Sequence, residues 1–382
     1  MKKLVHISGT TLLGGGPECL YQLIKHINPQ EWEVVVCTKN DGPYWDKFRS
    51  FGIKTHDLSL RELSLFTLFR LLHVLRRERP ALIHTHGKGP GLYGRFIGKI
   101  LNIPVVHTFH GFHYETLPTL TRWLHLLVDN LLSIITDQHI FVSMGEEKRA
   151  QVIKFLDKKN STVIHNGVDY EYIQDLDIDR KTILKSIDCE DWEQDKILGT
   201  TSRLSPEKGI LDLLSGFSQV IQSEPNLKLM IVGGYPEEHK GYYLKAKTLI
   251  EREHLTEHVR ILGYRQDALE ILKCMDFYIS PSLSEGLPIS LLEAFAAGVP
   301  AIATEIPGNK DVLSSSAFGV LSDPGSPKSI AQGIRKMLAL SEQERNIITR
   351  NAFNRVKDSF SVDTMAYETF RLYRQVLSKV RT

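Results

Sequence analysis

What most constrains this chain is an alternation of short β-branched runs with helical patterns, played through twice. In the first half the runs are LVHIS (4–8), VVVCT (34–38), ALIHTH (81–86), PVVHTFH (104–110), HIFVS (139–143) and STVIH (161–165). In the second they are ILGTT (197–201), LKLMIVGG (227–234), VRILG (259–263), FYIS (277–280), AIAT (301–304) and FGVLS (318–322). Strands this apolar, separated by helices, belong in a parallel sheet covered on both faces. Two such series predict an α/β chain of two Rossmann-like, doubly wound domains. The polar, acidic stretch near Asn166 to Asp195 separates them, giving domains at 1–168 and 169–360. In such sheets ligands sit at the carboxyl ends of the strands. Met365, Phe370, Tyr373 and Leu377 recur at helical spacing and close the chain with a helix.

Composition narrows the class. With 42% hydrophobic and 24% charged residues the chain reads as a globular protein, and its formal charge of +2 implies no bulk attraction to nucleic acid. Four scattered cysteines, Cys19, Cys37, Cys189 and Cys274, form no C-x-x-C pair and read as reduced thiols of a cytoplasmic protein. The apolar run of MKKLVHIS is too short for a signal peptide and reads as a first strand.

Chemistry concentrates in SPSLSEGLPISLLEAFAAGVPAIAT (280–304). Pro281 ends a strand, Pro288 suits the first position of a helix, Ile289, Leu292 and Phe295/Ala296 form an inward stripe, and Gly298 and Pro300 stop it. Glu285 thus falls in the loop after a strand and Glu293 about one turn into the helix. Free N–H groups around Gly286 and Leu287 favour an anion. A phosphate beside carboxylates that accept hydroxyl hydrogen bonds describes a sugar nucleotide.

This stretch resembles the E-x7-E motif of retaining glycosyltransferases, in particular family four of the GT-B fold, and EAFAAGVPAIATEIPG fits that family closely. The resemblance implies two Rossmann-like domains facing across a cleft, with the last helix, 361–382, crossing back to the first domain. It implies a nucleotide diphosphate sugar, UDP-linked by expectation, as donor, and a glycan or lipid-linked acceptor in bacterial surface polysaccharide synthesis. On that reading Glu293 accepts the ribose hydroxyls, Glu285 and His110 hold the sugar, and Gly286, Leu287 and Pro288 border the diphosphate.

Further segments fit the same pattern. In TTSRLSPEKG (200–209), Ser205 and Pro206 suit a helix start, and Arg203 and Lys208 are placed to meet a diphosphate beside it. Their R-x-x-x-x-K-G spacing resembles the family's cation pair, which implies catalysis with no metal and no cofactor. TTLLGGGPE (10–18) is neither G-x-G-x-x-G nor a G-x-x-x-x-G-K-[ST] loop; the resemblance assigns Gly15 and Gly16 to the donor phosphate. Gly233 permits close approach of a ligand, and the resemblance puts Tyr264 and Arg265 beside the base, with packing the alternative for Tyr264.

VHTFHGFHYE (106–115) carries His107, His110 and His113, but on a strand His107 points away from His110, which argues against zinc. T-F-H-G-F-H resembles the family's catalytic-histidine segment, with His110 by the sugar and His113 towards the acceptor. His84, His86 and Lys88 either border the acceptor or are buried histidines and a solvated lysine. D-x-D occurs twice in DLDID (175–179), in a connector that reads as solvated. Asn166 in the Asn-Gly turn takes no catalytic role.

A silent binding subunit, and a sugar-nucleotide epimerase or phosphorylase on the same architecture, stay open as alternatives. SLRELSLFTLFRLLHVLRRER (59–79) ends in Arg76, Arg77 and Arg79, and Leu117 to Ile135 carries Trp123 among leucines. Both suggest peripheral contact with an anionic membrane, against the alternative that their leucines only face the sheet.

Overall fold

The computed structural model describes residues 1–111, 119–151 and 160–380. The chain divides into two compact units. One comprises Met1–Gly167 and the C-terminal stretch from Val362; the other is Val168–Ser361.

The first unit is built on β1 (Lys2–Ile7), β2 (Trp32–Thr38), β3 (Lys54–Asp57), β4 (Leu82–His86), β5 (Val105–Phe109), β6 (Gln138–Phe141) and β7 (Ser161–Val163). They pair in parallel in the order β3-β2-β1-β4-β5-β6-β7. Alternation along β2 shows why both faces are covered. Val35 and Cys37 pack with Leu71 and Leu75 of helix Leu65–Glu78, whereas Val34 and Val36 pack with Leu20, Ile24 and Phe48. Each fully buried aliphatic side chain contributes about 1.5–3 kcal/mol.

Helix Val362–Val380 is fastened to this unit by specific contacts. Arg374 grips Glu31 with two hydrogen bonds of 2.9 and 2.7 Å, Met365 meets Cys19, and Tyr373 lies edge-on to Trp32. All four cysteines are free and buried.

The second unit uses β8 (Lys196–Thr201), β9 (Leu227–Val232), β10 (Val259–Gly263), β11 (Phe277–Ser280), β12 (Ala301–Thr304) and β13 (Val320–Ser322), in the parallel order β10-β9-β8-β11-β12-β13. Leu198, Leu229, Ile231, Phe277, Ile279 and Ile302 form one core with Leu213, Phe217, Ile330 and Ile334 of two covering helices. The strand order reverses at β1/β4 in the first unit and at β8/β11 in the second. These are the places where open α/β sheets leave a crevice at their carboxyl ends.

One strand, β3, escaped the reading from sequence. Its KTHD is polar and half-exposed because it is an edge strand with one neighbour.

Candidate active site

At the β8/β11 switch point of the second unit, two loops are drawn together. Leu283 N–H donates to the Glu207 carbonyl at 2.8 Å. Gly209 adopts φ 64°, and a Cβ there would run into the Pro281 carbonyl, so only glycine lets the Lys208–Gly209 turn reach the β11 loop. The result is an ion pair, Lys208 Nζ to Glu285 Oε1, at 2.6 Å, with Ser282 Oγ donating to the same oxygen at 2.7 Å. Gly286, Leu287 and Pro288 are buried beside it. Gly308 presses on this loop, where a Cβ would come within 2.7 Å of the Gly286 carbonyl.

Helix Ile289–Ala296 begins one residue later than expected. Pro288 is its cap in extended conformation (ψ 101°), and its carbonyl accepts from Leu291 and Leu292 N–H at 3.2 and 3.3 Å. Glu293 stands half-buried one turn in. Gly298 at φ 74° ends the helix.

Arg203 follows β8, exposed, 3.6 Å from Glu207. Burial raises the Glu207 carboxyl pKa, but the Ser205 hydroxyl, a backbone N–H, Arg203 and Lys208 outweigh it and hold the group below its ordinary value. Pro206–Lys208 is a single tight 3-10 turn, and Ser205 Oγ bonds Glu207 rather than the backbone.

Gly233 (φ 152°) sits over the Ser202 carbonyl, and a Cβ on Gly234 would strike the Tyr264 ring. Tyr264 therefore packs on Gly234 while leaving about half its surface exposed (49%). Burial raises its pKa. Arg265 forks onto Asp267 at 2.8 and 2.6 Å, a local clamp that lowers the Asp267 pKa. The connector residue Asp179 caps helix Arg180–Ser186 by accepting from Thr182 N–H at 3.1 Å, a structural use of the D-x-D segment.

The β1/β4 switch point of the first unit is different. His6 lies beside His84 in the β1–β4 register, and His84 and His86 share one face of β4. His6 Nδ1 and His86 Nε2 are 3.0 Å apart, and His86 Nδ1 and His110 Nε2 are 3.2 Å apart. His84 joins Tyr373 OH at 2.5 Å and Thr108 Oγ1 at 2.7 Å. Burial lowers the pKa of His6 to about 3 and of His110 to about 4, and carries His84 and His86 well below the ordinary value. All four rings are therefore neutral at pH 7.

His107 lies on the other face of β5, bonded to Thr85 Oγ1 at 2.8 Å. Glu146 accepts from Gly111 N–H at 2.5 Å and Val142 N–H at 3.0 Å, fixing the backbone immediately after His110. Burial lifts its pKa to about 8, against those two hydrogen bonds.

Gly15 and Gly16 open helix Gly15–Lys25, two residues ahead of Pro17; Gly16 has open space where a Cβ would stand. Lys88 is the exposed first residue of helix Lys88–Leu101, while His84 and His86 are buried. His113 lies outside the described residues. His6, Tyr373 and Glu146 were missed from sequence. The signal for His6 was available: a doubly wound order puts the first strand beside the fourth, so histidines near both carboxyl ends must meet.

Among the described residues, one group brings three metal-type ligand atoms within 4.8 Å of one another: His6, His84 and His86. Five of their six ring nitrogens already serve the hydrogen bonds above, and no carboxylate or thiolate belongs to the group. As arranged, it is a hydrogen-bonded cluster.

Known proteins place both switch points in context. The model "Glycosyltransferase Family 4" matches residues 13–172, and "Glycosyl transferases group 1" matches 188–355. The UDP-Gal:alpha-D-GlcNAc-diphosphoundecaprenol alpha-1,3-galactosyltransferase of Escherichia coli is 25% identical, over 94% of this chain and 93% of its own. The capsular polysaccharide biosynthesis glycosyltransferase CapM of Staphylococcus aureus is 22% identical over 84% of each. A crystal structure of Anabaena HepE with UDP and glucose superposes with TM-score 0.87 at 19% identity, covering 98% of this chain and 100% of that one, which is likeness of fold. Matched in each half by a model of this family, and with relatives of that kind along most of its length, the chain belongs to the family-four glycosyltransferases of GT-B fold and is itself a glycosyltransferase.

Proposed function

We propose that the chain moves a hexose from a UDP-sugar to a glycan or lipid-linked acceptor, with retention of configuration and without a metal. The observation that carries this is the Lys208–Glu285 pair at 2.6 Å, set beside Arg203 and the start of helix Ile289–Ala296. The two cations and the backbone N–H groups of Gly286 and Leu287 would neutralise the diphosphate as it leaves, a stabilisation that acts on charge developing in the transition state. Glu285, held by Lys208 and Ser282, would accept from sugar hydroxyls, Glu293 from the ribose, and Tyr264 and Arg265 would border the base. In the first unit His110 would address the sugar, with Lys88, Gly15 and Gly16 towards acceptor and phosphate. The E. coli relative's name, a UDP-galactose transferase acting on a diphosphoundecaprenol-linked sugar, supports UDP and a lipid-linked acceptor.

Such an acceptor lives at a membrane. No helix among the described residues is long and apolar enough to cross one. The first unit nevertheless presents Leu65 (74% exposed), Phe66 (70%), Leu120 (79%) and Trp123 (60%) on helices Leu65–Glu78 and Thr119–Ile134, with Phe96 of the intervening helix exposed as well. Arg61, Arg70 and Arg122 flank them. An exposed apolar face with a cation on it, Arg70 lying 5.6 Å over the Phe66 ring, suits the headgroup region of anionic lipid.

The test is transfer of labelled sugar from UDP-galactose, UDP-glucose and UDP-N-acetylglucosamine to a diphosphoundecaprenol-linked acceptor in EDTA. The expected result is an acceptor-dependent product whose anomeric configuration, read by NMR, matches the donor. Strict dependence on added magnesium that is lost in Asp177→Asn, or donor consumed without acceptor, overturns the proposal.

A further inference from the structure

Three rings run in series from the core of the first unit to the end of β5, His6 and His86 buried and His110 half-buried. His6 Nδ1 meets His86 Nε2 at 3.0 Å, and His86 Nδ1 meets His110 Nε2 at 3.2 Å, the latter two rings stacked at 5.5 Å and 23°. A neutral imidazole carries one N–H and one bare nitrogen. Two links in series therefore admit only two arrangements, with every proton on the His110 side of its ring or every proton on the His6 side.

The far end decides between them. His6 Nε2 is buried with no hydrogen-bond partner. A proton there would be a buried N–H without an acceptor, the rarer and costlier defect; a bare nitrogen is the more tolerable one. His6 thus donates from Nδ1 to His86, His86 donates from Nδ1 to His110 Nε2, and His110 is left with its proton on Nδ1. His84 buttresses the series, its ring 4.1 Å from that of His86 and tied on either side to Tyr373 and Thr108.

We propose that His6 and His86 are positioning residues for sugar transfer, holding His110 as the Nδ1–H tautomer so that it offers a fixed donor to a sugar hydroxyl. This rests on the reading of His110 as the sugar-facing histidine. The chain of rings makes His110 a donor of one orientation, where a free imidazole would interconvert.

The test uses the full chain labelled with 15N-histidine. Long-range 1H–15N spectra distinguish Nδ1–H from Nε2–H rings, and the His110 signals are assigned by their loss in His110→Asn. The expected result is Nδ1–H in the wild type and a shift towards Nε2–H in His86→Leu, with turnover lowered about 10- to 100-fold and UDP affinity unchanged. His86→Gln, whose amide accepts from His6 and donates to His110, should recover most of the turnover, which a merely structural role would not predict. Circular dichroism checks that each variant folds.

An Nε2–H ring in the wild type overturns the proposal. So does His86→Leu with normal tautomer and turnover, or stoichiometric metal in the purified protein that is lost in His6→Asn. The tautomer readout needs no substrate. If His110→Ala kept normal turnover, the assignment of His110 to the sugar would fail while the ring series was still being tested.

Discussion

The two switch points occupy the same topological place and solve opposite problems. In the second unit the polar groups are charged, with Lys208 and Glu285 largely shielded and Arg203 exposed near Glu207. In the first they are neutral, with His6, His84 and His86 buried and His110 half-buried, linked to one another and to Tyr373. A leaving diphosphate calls for fixed positive charge. Orienting a neutral sugar calls for donors and acceptors in fixed directions, and neutral imidazoles backed by buried partners provide them without the cost of a buried charge.

The largest expected effect breaks this contrast directly. Lys208→Ala removes a cation from the diphosphate side and strands Glu285, and should lower turnover about 100- to 1,000-fold. UDP affinity should weaken with it. Glu293→Gln should weaken UDP binding by roughly one to two decades, because a hydrogen bond to a charged group contributes about 1.5–3 kcal/mol. His110→Ala should lower turnover comparably and leave UDP binding almost intact. Titration calorimetry with UDP beside steady-state kinetics separates the two patterns. Loss of UDP affinity in His110→Ala, equal to that in Lys208→Ala, would merge the roles and end the comparison.

Acid should separate the units next. Burial lowers the pKa of six histidines in the first unit: His6, His84, His86, His107, His110 and His139. None of the second unit's histidines, His239, His254 and His258, is buried. A histidine kept neutral in the fold contributes stability that is present above its unfolded value of about 6.5 and is lost as pH falls towards its folded value. Each adds a slope of up to about 1.4 kcal/mol per pH unit in that window, with mutual repulsion spreading the steps. Hydrogen exchange followed by mass spectrometry at pH 7 and pH 5, corrected for intrinsic rates, should show the first unit opening while the second stays protected. Equal loss of protection in both would count against the buried, neutral cluster.

Much of the fold was legible because its signal is local. β-branched runs, proline and glycine punctuation and helical spacing each act within a few residues, and the parallel sheets follow from them. What escaped depended on partners far along the chain. β3 is polar because it is an edge. His6 gains its meaning from His86, Glu146 from Gly111, and Tyr373 from His84, pairings that span 80, 35 and 289 positions. The E-x7-E stretch was readable as a site because its two carboxylates and helix start lie together in sequence. Lys208 and Glu285, 77 positions apart, meet only because the order β8-β11 brings their loops side by side. Pro288 was misplaced by one position, since a proline fits either the cap or the first turn and only its extended ψ distinguishes them.

The smallest effect concerns surfaces. Exposed large apolar side chains cluster on three neighbouring helices of the first unit, whereas in the second Tyr172, Leu244 and Ile347 stand on three different helices and Leu283 and Tyr264 in loops. Isolated exposed residues of the latter kind are ordinary, and a contiguous patch is not. Vesicle flotation should therefore depend on one unit alone. Phe66→Ser and Trp123→Ser should each weaken partitioning into anionic vesicles about tenfold, as expected for losing a buried aromatic. Arg70→Gln should cost about fivefold, close to 1 kcal/mol for one basic group at a charged surface. High salt should erase the arginine's share and spare the aromatic share, because screening acts on charge and not on apolar burial. Leu244→Ser, similarly exposed on the other unit, should change nothing. Wild-type protein that never floats, or Trp123→Ser that floats as well as wild type, would reduce the patch to chance exposure and leave the two surfaces alike.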